Sequence, residues 1–293
     1  MKNKSVSSLL GTFGLVCGCL FAMGQPAKAD INYGIDSFKD GFGFGVVGSN
    51  SPYEFYGMAI IEDGNNLIVA LNTNMPLSGA VPPSGYTAQG GVVAFGDLFF
   101  NFSQKDFDSA SNDGSLFGIR FTPANDSGVS TLGLYSNVTA KSVTSTNIGF
   151  ANLNAYNDKV KGVGGTPSLA QLPVDTSYFN QNSPVLNVID TGNFVTSINM
   201  LSSAQISDFG FDFAQFGATG SQTIGFSFDK TALPAGDFLA NIFAECANDG
   251  MVIAGKLENS SEPVPEPLTI LGSIAGVGLI LRRQRSKGKQ SIS

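Results

Sequence analysis

Carboxylates are the only plentiful acid-base groups in this 293-residue chain, which has 23 Asp and Glu, three Cys and no His. Without imidazole there is no Ser-His-Asp triad, no Cys-His dyad and no histidine metal site, so bond-breaking chemistry would fall to paired carboxylates. Asp208 with Asp212, and Asp229 with Asp237, are near enough in sequence to be considered. A glycosidase needs such a pair about 5 to 9.5 Å apart in a cleft. Among 23 acids, sequence neighbours of this kind arise by chance, and no catalytic residue is assigned. Oxygen ligands of the type calcium takes occur at Asp106, Asp108, Asn112 and Asp113, and in the turn Asn125, Asp126, Ser127. Ala110 stands where an EF-hand loop needs an oxygen, and no Glu closes the loop, so both stretches read as turns. No metal ligand and no cofactor are assigned, calcium being the one ion whose donor chemistry is present.

Cys246 is the one thiol left once a leader carrying Cys17 and Cys19 is removed; on an apolar strand face it reads as a small buried hydrophobe. The run Gly41, Phe42, Gly43, Phe44, Gly45 lacks GxGxxG spacing and a following helix, so it reads as a flexible loop and not a phosphate cradle.

The elements that would carry these groups are strands. Apolar residues alternate at Leu98, Phe100, Phe102; at Phe117, Ile119, Phe121; at Ile224, Phe226, Phe228; and from Phe238 through Ala240, Ile242 and Ala244 to Cys246, the period of a half-buried strand. Residues 53–61 and 67–72 flank a turn at 62–66, and Asn248, Asp249, Gly250 precede a further apolar run, both hairpin patterns. The expected fold is mainly β, an antiparallel β-sandwich or jelly-roll-like domain. It carries a partly helical insertion at about 150–212, with weak helical spacing over 152–160, 168–172 and 201–209.

Both ends read as processing segments. Lys2 and Lys4 precede an apolar stretch over 9–23, and Ala27, Lys28, Ala29 form a small-x-small signal peptidase site with Asp30 as the mature N-terminus. Residues 1–29 are thus a cleaved signal peptide and 30–257 an exported β-rich domain. A Pro-rich linker at 258–267 leads into an apolar run over 268–281 and a basic tail over 282–293, with Arg282, Arg283 and Arg285 as stop-transfer charges. A helix over 268–281 rises only about 21 Å against an apolar bilayer core of about 30 Å, so it would hold the membrane weakly. Positive charge at both ends places everything between them across the inner membrane. That span carries 8 basic residues against 23 acidic ones, a net of −15, which disfavours nucleic acid as a partner.

Val264, Pro265, Glu266, Pro267, the short helix broken by Gly272, Gly276 and Gly278, and the Arg-rich end together resemble a PEP-CTERM sorting signal. The resemblance implies that exosortase, a membrane-embedded cysteine protease of bacteria that make extracellular polysaccharide, processes the tail near the tripeptide, releasing the domain to the cell surface. Blocks such as DLFFNFS (97–103), GSLFGIRF (114–121) and AECANDG (244–250) are similar to an exosortase-dependent surface family for which no catalytic residues are implied. The expectation is a non-enzymatic surface or extracellular-matrix protein, held transiently by the inner membrane and meeting extracellular polysaccharide. The alternatives are a lectin-like sandwich using Tyr53, Tyr56, Tyr86 and Tyr135 as an exposed platform beside a groove, and a carboxylate-based glycan hydrolase.

Overall fold

The computed structural model describes residues 30–258. Period-two patterning becomes thirteen strands: β1 (Asn32–Ile35), β2 (Phe42–Gly43), β3 (Val46–Val47), β4 (Phe55–Asp63), β5 (Asn66–Thr73), β6 (Leu98–Asn101) and β7 (Leu116–Arg120) come first. They are followed by β8 (Gly133–Lys141), β9 (Val188–Thr196), β10 (Asn199–Leu201), β11 (Gln222–Asp229), β12 (Gly236–Phe243) and β13 (Gly250–Leu257). Three α-helices interrupt them: α1 (Phe107–Asn112), α2 (Leu153–Gly162) and α3 (Ser203–Phe209).

Every pairing between these strands is antiparallel. One sheet has the order β1-β4-β5-β11-β10, the other β13-β12-β6-β7-β8-β9, and β2 and β3 form a short ribbon apart. The two large sheets share one core. Phe55, Met58 and Ile60 of β4, Leu67, Val69 and Leu71 of β5 and Phe226 and Phe228 of β11 meet Leu98 and Phe100 of β6, Ile119 of β7, and Ala240 and Ile242 of β12. Both expected hairpins form: β4 turns into β5 through Gly64 at φ 56°, a conformation glycine adopts without a Cβ clash, and β12 turns into β13 through residues 244–249.

The central strands β4, β5 and β6 are covered on both faces and not half-buried, whereas β9 and β10 at the sheet edges stay partly exposed. All four residues of β6 are buried because Leu98 and Phe100 face the partner sheet while Phe99 packs outward on Phe107 of α1 and Asn101 meets the Tyr178 hydroxyl. Residues 153–185 supply Leu153, Leu169, Tyr178, Phe179 and Val185 to this outer layer. Phe213 and Ala218 cover Tyr56, Ala59 and Ala70 on the outer face of the other sheet. A sheet dry on both faces needs its polar main chain and side chains paired internally, which concentrates buried polar chemistry at the sheet ends.

Helices form at 153–162 and 203–209, each started by a side chain accepting a main-chain N–H: Asn152 from Ala155 and Ser202 from Gln205. The expected helix over 168–172 is replaced by a tight turn, in which Leu169 bridges Leu172, and Ala170 takes φ 54° and also bridges Val252. The amides of Ser168 and Ala170 are captured by Asp40 and Asp36 instead of a helical carbonyl. The 150–212 stretch also supplies β9 to one sheet edge and β10 to the other, so it is part of the sandwich frame. The run from Gly41 to Gly45 is likewise no flexible loop: Phe42 and Gly43 pair with Val47 and Val46. Ala27, Ala29, the motif Val264 to Pro267, the 268–281 run and Arg282, Arg283 and Arg285 lie outside the described residues, whose first is Asp30. Among the described residues no helix is long and apolar enough to cross a membrane.

Candidate functional site

At one end of the sandwich four acids from three distant segments come together. Asp36 follows the last residue of β1 and Asp40 lies four residues on, Glu54 immediately precedes β4, and Asp249 immediately precedes β13. Pairing of β1 with β4 and packing of β13 beside both brings these strand ends to one place. Asp40, Glu54 and Asp249 have no exposed surface and Asp36 only 6%. Carboxylate oxygens of Asp36, Asp40 and Asp249 lie within 4.8 Å of one another.

Main-chain amides fix each carboxylate from one side. Ala170 N donates to Asp36 Oδ1 at 3.0 Å, Ser168 N to Asp40 Oδ2 at 2.8 Å and Gly41 N to Glu54 Oε2 at 2.7 Å. Phe55 N donates to Asp249 Oδ2 and Gly250 N to Asp249 Oδ1, both at 2.7 Å. Residue 41 must be glycine for this approach, since a Cβ there would sit 2.4 Å from the Glu54 Cα and 2.5 Å from its Oε2. The other oxygens, Asp36 Oδ2, Asp40 Oδ1 and Glu54 Oε1, are buried without any hydrogen-bond partner. No Lys or Arg offsets them: the ion pairs among the described residues are Lys105–Asp113, Lys141–Asp190, Lys230–Glu62 and Lys256–Glu258. Burial, and behind it mutual repulsion, pushes the Asp40 carboxyl up to about 10. Burial raises Asp36 to about 7, against the pull of the Ser168 hydroxyl and nearby amides, and Glu54 to about 8. Asp249 is raised well above the ordinary carboxylate range by burial and by Asp40, Asp36 and Glu54.

The same β12–β13 turn that carries Asp249 carries Glu245 into a second buried centre. There Asp97 accepts from Asn125 Nδ2, Ser127 Oγ and Ile189 N, each at 2.7 Å, and Arg120 Nε holds the Asn125 Oδ1 at 2.9 Å. Glu245 accepts from Ala94 N at 2.9 Å and Asp126 N at 2.5 Å. Burial leads in raising Asp97 to about 6 and Glu245 to about 7, partly offset by these bonds.

The calcium-type stretches read from sequence serve other ends. Asp106 caps α1 by accepting from Ser109 N at 2.8 Å, Asp113 pairs with Lys105, and Asn125 and Ser127 belong to the Asp97 centre. Asp208, Asp212, Asp229 and Asp237 are all exposed; Asp229 accepts from Thr231 N and Asp212 from Gln215 N, the bonds of ordinary turns. Of the proposed tyrosine platform, Tyr53, Tyr56 and Tyr135 are core residues at 1%, 2% and 4% exposure, and only Tyr86 is exposed. Tyr86 packs on Phe44 beside a cavity of about 340 Å³. Cys246 is fully buried among the core side chains, in the turn just past β12, and burial pushes its thiol up. Asp36, Asp40 and Glu54 had no sequence signal, because no spacing rule links positions 36, 40, 54 and 249; the nearest hint was Asn248, Asp249, Gly250, read only as a turn.

No protein-family model, curated protein or solved structure matches the chain. What the fold defines is an antiparallel, mainly β sandwich with two buried carboxylate centres sharing one turn.

Proposed function

We propose that this is a non-enzymatic bacterial surface or extracellular-matrix protein, exported through its N-terminal leader and processed by exosortase at Val264, Pro265, Glu266 and Pro267. The observation that carries the reading is the tripartite C-terminal layout, in which a proline-rich tripeptide precedes a short Gly-broken apolar run and a cluster of Arg and Lys. Prolines at 263, 265 and 267 disfavour helix and sheet pairing, which suits a protease that reads an extended peptide. Three features of the folded domain support it. The acids considered for hydrolysis, Asp208 on α3, Asp212, Asp229 at the end of β11 and Asp237 on β12, are spread over separate exposed places, the buried acids are closed to a polymer substrate, and stability comes from a double-sided core, with Cys246 buried and free.

Intact mass of the protein from the cell surface and from the membrane fraction of its host, with and without exosortase, tests the reading. The expected result is loss of 1–29 together with the apolar run and basic tail from about Pro267 onward, only where the protease is present. A C-terminal apolar run retained in both strains would make this a membrane-anchored periplasmic protein and end the sorting assignment.

A further inference from the structure

The geometry points to a calcium site built by Asp36, Asp40 and Asp249, with Glu54 as the adjoining fourth carboxylate. The donor set is all oxygen, which suits hard cations and gives the soft metals nothing to grip. Two ligands on opposite sides of a calcium ion stand about 4.6 to 5.2 Å apart, whereas magnesium draws them to about 4.2 Å. The three carboxylate oxygens lie within 4.8 Å of one another, a spacing that one calcium ion can bridge. Magnesium also sheds its water reluctantly, and three of these carboxylates have no exposed surface at all.

Acid clusters alone are common; the independent observation here is the set of buried oxygens without partners. Asp36 Oδ2, Asp40 Oδ1 and Glu54 Oε1 each lack a hydrogen bond while the second oxygen of the same group is fixed by a main-chain amide. A buried polar atom left unpaired is costly, more so when charged, so these neighbouring groups call for a partner that accepts several lone pairs at once. A divalent cation does this and also cancels the charge that no Lys or Arg offsets. Asp249, whose oxygens each accept one amide, still has a free lone pair on each. Because the ligands follow β1 and precede β4 and β13, the ion would tie the ends of the edge strands β1 and β13 of the two sheets together, a structural role distinct from the sorting tail.

The test uses the full chain, purified in detergent and stripped with chelator, at constant ionic strength. Calcium is expected to raise the thermal midpoint progressively with concentration, as mass action requires, with half-saturation near roughly 10⁻⁴ M or below. Equimolar magnesium is expected to give less than a tenth of that affinity. Terbium, a luminescent substitute for calcium, should be sensitised on tyrosine excitation, since the Tyr156 hydroxyl donates to the Asp40 carbonyl at 3.2 Å. The Asp40→Asn, Glu54→Gln double variant keeps the shape and lowers the repulsion, so it should fold in chelator with at least the wild-type midpoint while losing both calcium shift and terbium signal. An unchanged midpoint in wild type, with the acids sharing protons instead, would overturn the site. So would a calcium shift of equal size in the double variant. An equal response to magnesium would overturn the choice of calcium.

Discussion

The two buried acid centres are reached from one six-residue turn, yet they are finished in opposite ways. Around Asp97 and Glu245 every carboxylate oxygen has a donor, and Arg120 stands behind the network. Around Asp36, Asp40 and Glu54 half the oxygens have none, and no cation approaches. Burial is nearly equal, so burial does not set the difference. A network closed by protein donors is a structural fastener, whereas one left open on a single side is shaped for a ligand.

The largest way to break this contrast is to open the closed centre. Asp97→Ala strands Asn125, Ser127 and the Ile189 amide at once, and is expected to cost about 3 to 5 kcal/mol in denaturant unfolding without changing the calcium increment of any molecules that fold. Next is pH. Asp97 and Glu245 have folded-state values raised to about 6 and about 7, so folding takes up protons. Their contribution is full below about pH 4 and is lost as pH rises through 7. In chelator, unfolding free energy of the Asp40→Asn, Glu54→Gln variant should fall by roughly 5 kcal/mol between pH 4 and pH 8; a rise over that interval would mean that the two groups stay ionised when buried.

Gly41→Ala tests the open centre from its backbone. The added Cβ collides with the Glu54 main chain, so a loss of about 1 to 3 kcal/mol and a calcium affinity down at least tenfold are expected by calorimetric titration; an unaltered affinity would show that the Glu54 position is immaterial. The smallest effect belongs to Asp106→Ala, which removes the α1 cap for about 1 kcal/mol. It should leave calcium binding untouched, which separates the buried site from the acid-rich turn that resembles one in sequence.

Strand content and hairpins were legible because period-two alternation and turn residues are local signals: Leu98 and Phe100, or Ile224 and Phe226, face the core wherever their strands are placed. The second buried face was not legible, since nothing local tells Phe99 that α1 will lie over it. The 168–172 misreading has the same origin, an apolar spacing overridden by two carboxylates 128 and 134 residues away. The blocks DLFFNFS, GSLFGIRF and AECANDG contain Asp97, Arg120, Glu245 and Asp249, but their spacing does not disclose that these residues sort into one closed centre and one open one.

Alone, the sequence determined what depends on composition and neighbours: a mainly β chain, an acidic body, the exclusion of histidine chemistry, and the leader and tail patterns that motivate its proposed destination. Only the tertiary structure decided which of 23 acids matter, because a carboxylate's chemistry is set by what surrounds it in space. Asp229 at the exposed end of β11 and Asp40 in the buried segment after β1 are the same residue type; the packing of β1, β4 and β13 strips Asp40 of water, while Asp229 stays solvated.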